Sequence, residues 1–410
     1  METTQTRFVS ERGREALSRR LTWRERLFVR LLGPLQGGSL RIEFPSGGSA
    51  LVGDASCPLV ELRIRDTAFF RRVLGGGAVG FGEAYVEGLW STPALPALLG
   101  LLARNQRDLG RLQRGFSLLA HQANRLYHRA RRNTVAGSRE NIREHYDLSN
   151  EFYKTFLDGT MSYSSACFAH EGESLESAQV RKIDRMLDLA GAKAGDHILE
   201  IGSGWGALAL RAARRGCRVT TITLSSQQHA YCLDLFEREG VADRIEVALR
   251  DYRELKGRFD AVVSCEMIEA VGREYLPGYF ETIGRSLKPG AKAVLQAITI
   301  PDERYESYCR SCDWIQKHIF PGGHLPSPGA IRGHAGTSGN LTVVRMDAFG
   351  GDYARTLRRW RAAFGAAEAR VDGLGFGECF RRKWDYYFSY CIAGFEEGLI
   401  DVRHVVLEAG

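Results

Sequence analysis

The chain has 410 residues, of which 44% are hydrophobic and 26% are charged, and its formal net charge is +7. This length and composition are those of a globular protein of two or three domains, and they exclude a disordered or fibrous chain. No run of about 18 apolar residues occurs, which excludes a membrane-spanning helix. The polar, arginine-rich start predicts no secretory signal, so we expect a cytoplasmic protein.

Residues 1–135 are predicted to form a smaller α+β domain. Two segments, GGSLRIEFPSGG and PLVELRIRD, alternate apolar and polar residues and predict strands. The segments REALSRRLTWRERLFVRLL and TPALPALLGLLARNQRDL have the apolar spacing of helices. Residues 104–134 then carry eight arginines among leucines and aromatics. That pattern indicates either a solvated helix face or a surface that meets anionic lipid headgroups. No recognisable nucleic-acid-binding motif occurs, so nucleic acid is not an expected partner.

Residues 136–410 are predicted to form a second, larger domain in which helices and strands alternate. Helical segments separate most of the predicted strands, which are HILEIG, RVTTITL, RIEVALRD, DAVVSCEM and AKAVLQAITI. This alternation predicts an α/β fold with a doubly wound, mostly parallel sheet of the Rossmann-like kind. Ligands of such sheets lie at the carboxyl ends of the strands, near the point where the strand order reverses.

A glycine-rich loop follows the first of these strands, in DHILEIGSGWGALAL. Gly202 and Gly204 would let the backbone turn tightly and approach a ligand, and Gly206 would let the next helix pack closely. The spacing G-x-G-x-G differs from the G-x-G-x-x-G of dinucleotide folds, and Glu200 stands two residues before the first glycine. An acid at this place resembles the S-adenosylmethionine-dependent methyltransferases. A Rossmann-like domain with another ligand is the alternative.

The remaining cosubstrate contacts are predicted from the ends of the next two strands. Methyltransferases of this class usually end the second strand with an acid that binds the ribose, whereas this strand ends in TITLSSQQ. Thr223 and Gln228 would supply neutral hydrogen bonds instead. In RDYREL, Asp251 and Tyr252 are the candidates for contact with the adenine.

Several further segments resemble the cyclopropane-fatty-acyl-phospholipid synthase family, in order and over most of the chain. They are GFGEAYVEGLW, NIREHYDLSNEFYKTFLDGTMSYSSACF, ESAQVRKID, CEMIEAVG, IFPGGHLPS and FGGDYARTLRRW. The resemblance implies methyl transfer from S-adenosylmethionine to the double bond of an unsaturated phospholipid acyl chain, giving a cyclopropane. It also implies a homodimer, peripherally associated with the inner membrane. Residues 1–135 would then be a lipid-docking domain and residues 136–410 the catalytic domain.

The chemistry that this resemblance implies defines what the site must contain. Attack by an alkene produces a carbocation, so the pocket must exclude water and present aromatic faces. A base must then remove a proton. In the family a bicarbonate ion serves as that base, and the resemblance assigns its ligands residue by residue. The matching positions are Glu269, Tyr353 and Ile298, and the departures are Ser165 at a family cysteine and Gln296 at a family histidine.

The resemblance assigns three more residues. Tyr163 and Ser164 would close over the cosubstrate, and Cys391 matches a family cysteine that either lines the pocket or is a buried structural thiol. No metal site is expected. Cys309 and Cys312 form a single C-x-x-C pair, and a structural metal needs about four ligands.

The departures at Ser165 and Gln296 leave two products open. The altered site either still binds bicarbonate and makes a cyclopropane, or a hydride shift gives a methyl- or methylene-branched unsaturated chain, with Glu269 or a neighbour as base. Two other functions are alternatives: a small-molecule N-methyltransferase and a lipid-binding protein without catalysis. The intact glycine loop with Glu200 argues against the latter.

Overall fold

The computed structural model describes residues 21–54, 58–106 and 148–410. Most of the arginine-rich segment 104–134, and the domain boundary predicted near residue 135, lie outside the described residues. The boundary therefore stays a prediction. Within the described residues, no helix is long and apolar enough to cross a membrane.

The elements are numbered in chain order. The helices are α1 (Trp23–Leu32), α2 (Ala68–Val86), α3 (Leu95–Arg104), α4 (Asn150–Tyr153), α5 (Leu175–Ala190), α6 (Ala207–Arg214), α7 (Ser226–Arg238), α8 (Leu276–Ser286), α9 (Asp302–Cys309), α10 (Trp314–His318), α11 (Pro328–Gly339), α12 (Gly350–Ala366), α13 (Glu368–Gly373) and α14 (Glu378–Glu396). The strands are β1 (Ser39–Glu43), β2 (Ser49–Gly53), β3 (Leu59–Ile64), β4 (Trp90–Ser91), β5 (His197–Ile201), β6 (Arg218–Thr223), β7 (Ile245–Leu249), β8 (Phe259–Cys265), β9 (Leu287–Thr299), β10 (Leu341–Ala348) and β11 (Asp401–Ala409).

The chain divides into two compact units, and the first contains a helix from near the carboxyl terminus. This unit comprises Met1–Ala123 and Phe376–Glu397. Its described strands form a four-stranded sheet of order β2-β1-β3-β4. Helix α14 packs in this unit, where the Tyr85 hydroxyl donates to Asp385 at 2.7 Å and the Arg382 guanidinium donates to the Tyr85 carbonyl at 2.6 Å.

The second unit comprises Asn124–Gly375 and Gly398–Gly410 and contains a seven-stranded sheet of order β10-β11-β9-β8-β5-β6-β7. Neighbours from β7 to β9 pair in parallel, whereas β11 pairs antiparallel with both β9 and β10. The predicted doubly wound fold is confirmed. Strand β9 begins at Leu287, four residues before the predicted start, because the register with β8 shifts and accommodates the KPG segment as a bulge.

Apolar side chains cover both faces of this sheet. On one face α8 and α11 contribute Leu276, Phe280 and Ile331 to the core. On the other face α5, α6 and α7 contribute residues such as Met186 and Phe236. Burial on both faces explains why the central strands are almost continuously apolar in sequence. The strand order reverses between β5 and β8, so a ligand crevice is expected where these two strands end.

Candidate functional site

The glycine-rich loop leaves β5 at the point where the strand order reverses. Gly202, Gly204 and Gly206 have φ values of 97°, 50° and 88°, in the left-handed region where side chains are disfavoured. The amides of Gly202 and Ser203 donate to the Ile222 carbonyl at 3.1 and 2.9 Å, which ties the loop to β6.

Two of the glycines differ in what surrounds them. A Cβ at Gly206 would lie 2.9 Å from Phe236 Cζ and 3.1 Å from Cys232 Sγ. Glycine is therefore needed here because the backbone at position 206 packs closely against α7. At Gly204, by contrast, a Cβ would have no heavy atom of the described residues within 4 Å. The bare backbone at Gly204 is therefore open to a ligand.

Glu200 lies beneath the glycine loop in a small hydrogen-bonded network. The Thr221 hydroxyl donates to its carboxylate at 2.5 Å and lies 2.7 Å from Ser203 Oγ. Burial raises the pKa of Glu200 to about 8, although the hydrogen bond from Thr221 and the charge of Lys182 act in the opposite direction. Near neutral pH the carboxyl group is largely protonated, and an incoming cation would favour its ionised form.

The other predicted cosubstrate residues lie where β6 and β7 end. The Thr223 hydroxyl donates to Gln228 Oε1 at 2.8 Å. The two residues predicted to contact the ribose are therefore hydrogen-bonded to each other. Asp251 is fully buried, and both its oxygens accept from the Arg253 guanidinium, at 2.8 and 2.7 Å. Tyr252 follows directly, and burial raises its pKa to about 12.

The segment that contains Tyr163 and Ser164 is held by α5. Lys182 Nζ donates to Ser164 Oγ at 2.7 Å, and Gln179 Nε2 donates to the Ser164 carbonyl at 2.8 Å. The Tyr163 ring belongs to an aromatic cluster, defined by ring centroids 4.8 to 6.2 Å apart, that runs from the glycine loop to α12. In order, its members are Trp205, Tyr153, Tyr163, Trp360 and Tyr353.

A carboxylate that the sequence analysis did not single out lies at the end of β8. Glu266 Oε1 accepts from the Ser165 backbone amide at 2.8 Å and from Gln296 Nε2 at 2.7 Å. Glu266 Oε2 accepts from the Tyr353 hydroxyl at 2.6 Å. We call Glu266 and these three donors the carboxylate site. Three of the five residues that the resemblance assigns to bicarbonate therefore donate to Glu266.

The donors of the carboxylate site are fixed by their own neighbours. Gln296 lies between Cys265 and His404 in the register of β8, β9 and β11. His404 Nε2 lies 2.8 Å from Gln296 Oε1, and burial lowers the pKa of His404 to about 3, so the neutral ring donates to that oxygen. This contact orients the Gln296 amide with its nitrogen toward Glu266. At Ser165 the hydrogen bond comes from the backbone, so replacing a cysteine by serine leaves it intact.

Glu269 lies three residues after Glu266, in a short 3-10 turn, and its environment differs from that of Glu266. Its Oε1 accepts from the Ile298 amide at 2.5 Å, while its Oε2 is buried and has no hydrogen-bond partner among the described residues. Burial, and then the negative charge of Glu266, raise the pKa of Glu269 to about 8. The His324 amide donates to the Glu269 carbonyl at 2.8 Å, which places the IFPGGHLPS loop against this turn.

A bicarbonate ion does not fit this arrangement, because the donors assigned to it already hold Glu266 and Glu269. Cys391 lies on α14, which belongs to the first unit, and its proposed place in the pocket stays a prediction. In the described part of the chain, no group of three or more His, Cys, Asp or Glu side chains is placed to hold a metal ion.

Sequence reasoning missed Glu266, His404 and Lys182. For Glu266 a signal existed in CEMIEAVG, where two acids stand three residues apart directly after a strand. For His404 no local signal existed, because a histidine in a buried strand is usually structural. Its contact with Gln296 depends on how β11 aligns with β9.

Comparison with known proteins gives relatives over most of the chain. The family model for mycolic acid cyclopropane synthetase matches residues 134–405. The tuberculostearic acid methyltransferase UfaA1 of Mycobacterium tuberculosis is 39% identical over 370 residues, which are 88% of this chain and 86% of that protein. The cyclopropane-fatty-acyl-phospholipid synthase of Escherichia coli is 31% identical over 367 residues, 88% of this chain and 91% of that protein. A solved structure of mycolic acid cyclopropane synthase CmaA1 with SAH and CTAB superposes with a TM-score of 0.62 at 31% identity, covering 66% of this chain and 98% of that one.

Proposed function

This chain belongs to the mycolic acid cyclopropane synthetase family and is an S-adenosylmethionine-dependent C-methyltransferase, and from that premise we propose that it methylates the double bond of an unsaturated phospholipid acyl chain. One observation carries the proposal. Two half-buried glutamates, Glu266 and Glu269, follow the end of β8, next to the strand that carries the glycine loop, and Glu269 Oε2 is itself buried. Methylation of an alkene requires such a proton acceptor in a site shielded from water.

The residues at the strand ends would hold the cosubstrate, which supplies a methyl group on a sulfonium cation. The open backbone at Gly204 and the neighbouring glycines leave room for it, and the buried carboxyl of Glu200 offers a counter-charge to its cationic end. Because Thr223 donates to the carbonyl oxygen of Gln228, the Gln228 amide nitrogen is the donor for a ribose hydroxyl. The backbone beside Asp251 and Tyr252 would meet the adenine.

The aromatic cluster would serve the acyl chain. Its rings connect Trp205 in the glycine loop with Tyr353 in the carboxylate site. A carbocation that forms between these two ends is stabilised by aromatic faces and protected from water.

We further propose a methyl- or methylene-branched product. Three donors hold Glu266 and lower its basicity relative to a free carboxylate in the same dry site. Slower proton loss gives the first cation time to rearrange by hydride shift to the more stable tertiary cation. The 39% identical relative is named for methyl transfer and supports this product. A cyclopropane is the second candidate, supported by the family description and by the synthase of Escherichia coli.

We propose that the enzyme meets its substrate at the surface of the inner membrane, through the arginines of segment 104–134. Raising the salt concentration should then weaken binding to anionic vesicles, because charge attraction is screened within about 10 Å at 0.1 M ionic strength. Salt-insensitive binding would contradict this docking surface. The expected homodimer stays a prediction, which light scattering of the purified chain checks.

The substrate class is tested with methyl-labelled S-adenosylmethionine and vesicles of unsaturated phospholipid. We expect label in the released fatty acids, and none from vesicles whose acyl chains are saturated. Label in added small amines but not in lipid would instead support the N-methyltransferase alternative. Absence of label from the unsaturated chains would overturn the proposed substrate.

A further inference from the structure

We infer that Glu266 is the proton acceptor of the reaction. It is a base that belongs to the chain itself, and it occupies the hydrogen-bond donors that the resemblance assigns to a bicarbonate ion. The inference rests on the proposed methylation of an acyl double bond. It is carried by the three hydrogen bonds from Ser165, Gln296 and Tyr353 to one carboxylate. A carboxylate and a bicarbonate ion present the same planar pair of oxygens, so one replaces the other on the same donors.

The hydrogen bonds distinguish the two oxygens of Glu266. Oε1 accepts two of them, from Ser165 and Gln296, and both of its in-plane lone pairs are engaged. Oε2 accepts only the Tyr353 hydroxyl among the described residues, so one lone pair remains for a proton. Burial raises the pKa of Glu266, and all three contacts oppose that rise by stabilising the ionised form, which is the form that a base requires.

The backbone at Glu266 is also unusual. Its φ is 49°, in the left-handed region, and its amide donates to the Gln296 carbonyl at 2.8 Å. A side chain other than glycine is disfavoured there, and such conformations persist where the surrounding structure imposes them, often at functional sites. Here the backbone conformation directs the carboxylate of Glu266 onto its three donors.

The proton transfer balances within the site. A C–H bond next to the cationic carbon of the acyl intermediate breaks, its electron pair becomes the π bond of the branched alkene and neutralises the cation, and the proton moves to Glu266 Oε2. Glu269 has a separate role. Burial, and then the nearby charge of Glu266, raise the pKa of Glu269, which favours its protonated form beside an ionised Glu266.

The test compares the unchanged enzyme with Glu266→Gly, Glu266→Gln and Asn340→Gly, in buffer freed of carbon dioxide and then with added bicarbonate. Glycine suits the backbone at position 266, which favours folding of that variant. Asn340 is the matched control, since it has the same φ of 49° at the end of α11 and lies outside the carboxylate site.

We expect the unchanged enzyme and Asn340→Gly to transfer methyl groups at the same rate with or without bicarbonate. Without bicarbonate, Glu266→Gly should lose at least about a hundredfold in rate, and bicarbonate or formate should restore part of it. Glu266→Gln fills the site with an amide and should stay inactive in both buffers. A bicarbonate requirement of the unchanged enzyme, or full activity of Glu266→Gly without added anion, would overturn the inference.

A binding measurement separates this inference from the proposed function. Carbon-13 NMR of labelled bicarbonate should show binding to Glu266→Gly and none to the unchanged enzyme. If no lipid is methylated, the proposed substrate fails, whereas bicarbonate bound by the unchanged enzyme contradicts the inference about Glu266 whatever the substrate.

Discussion

Removing the Tyr353 hydroxyl should move the acid limb of the pH–rate profile to higher pH. In Tyr353→Phe the ring remains against Trp360, but the 2.6 Å hydrogen bond to Glu266 Oε2 is lost. A hydrogen bond to a charged group stabilises it by about 1.5–3 kcal/mol. The pKa of Glu266 should therefore rise in this variant, since about 1.4 kcal/mol corresponds to a tenfold change in proton affinity.

The assay is the initial rate of label transfer into unsaturated phospholipid, measured across the pH range. Because the base acts when ionised, Tyr353→Phe should be slower by roughly tenfold to a hundredfold on the acid limb and should recover as pH rises. The matched control is Tyr279→Phe, which removes a buried hydroxyl that donates to Ser264 Oγ at 2.9 Å. That variant should lose stability without moving the profile. An equal loss of rate at every pH in Tyr353→Phe would refute the reasoning.

Three other residues give predictions that depend on burial. Burial raises the pKa of Glu200 to about 8, so binding of the cationic cosubstrate near pH 7 should release about one proton. Calorimetry in buffers of different ionisation heat measures this release, and the Glu200→Gln variant should release no proton. Gly206→Ala should lower the unfolding temperature more than Gly204→Ala, because only the Cβ added at position 206 would meet Phe236. Equal decreases in the unfolding temperature of the two variants would contradict the packing argument. Burial lowers the pKa of His404 from 6.5 to about 3, so the stability present above pH 6.5 should fall as pH drops toward 3. Urea unfolding of His404→Gln should show a weaker pH dependence.

The fold and the glycine loop were predictable because their signals are local. A strand, three alternate glycines and a helix follow one another within fifteen residues, and alternation of helices and strands defines a doubly wound sheet. The ends of the strands then identify the crevice without further information.

The contacts of Glu266 were not predictable in this way. Its donors come from positions 165, 296 and 353, and only the folded sheet brings them to the end of β8. The resemblance identified these three donors but assigned them another ligand. It also emphasised Glu269, whose Oε2 has no hydrogen-bond partner among the described residues, whereas both oxygens of Glu266 accept hydrogen bonds.

The environment of helix α14 was also not predictable from local signals. Its run of aromatics in RRKWDYYFSYCIAGF is compatible with a pocket lining or with a core, and Trp384, Tyr386 and Phe388 are buried in a helix that belongs to the first unit. Aromatic residues dominate the packing of ordinary cores and also line sites. Sequence alone did not indicate which of these environments a helix near the carboxyl terminus would adopt.

The most direct test of the whole account is the NMR spectrum of the lipid product made with carbon-13 methyl donor and unsaturated phospholipid. We expect the labelled carbon to be attached to an acyl carbon as a branch, with alkene signals retained. Labelled cyclopropane protons, which resonate upfield, would contradict the branched product, and a labelled methyl group on nitrogen or oxygen would contradict carbon methylation itself.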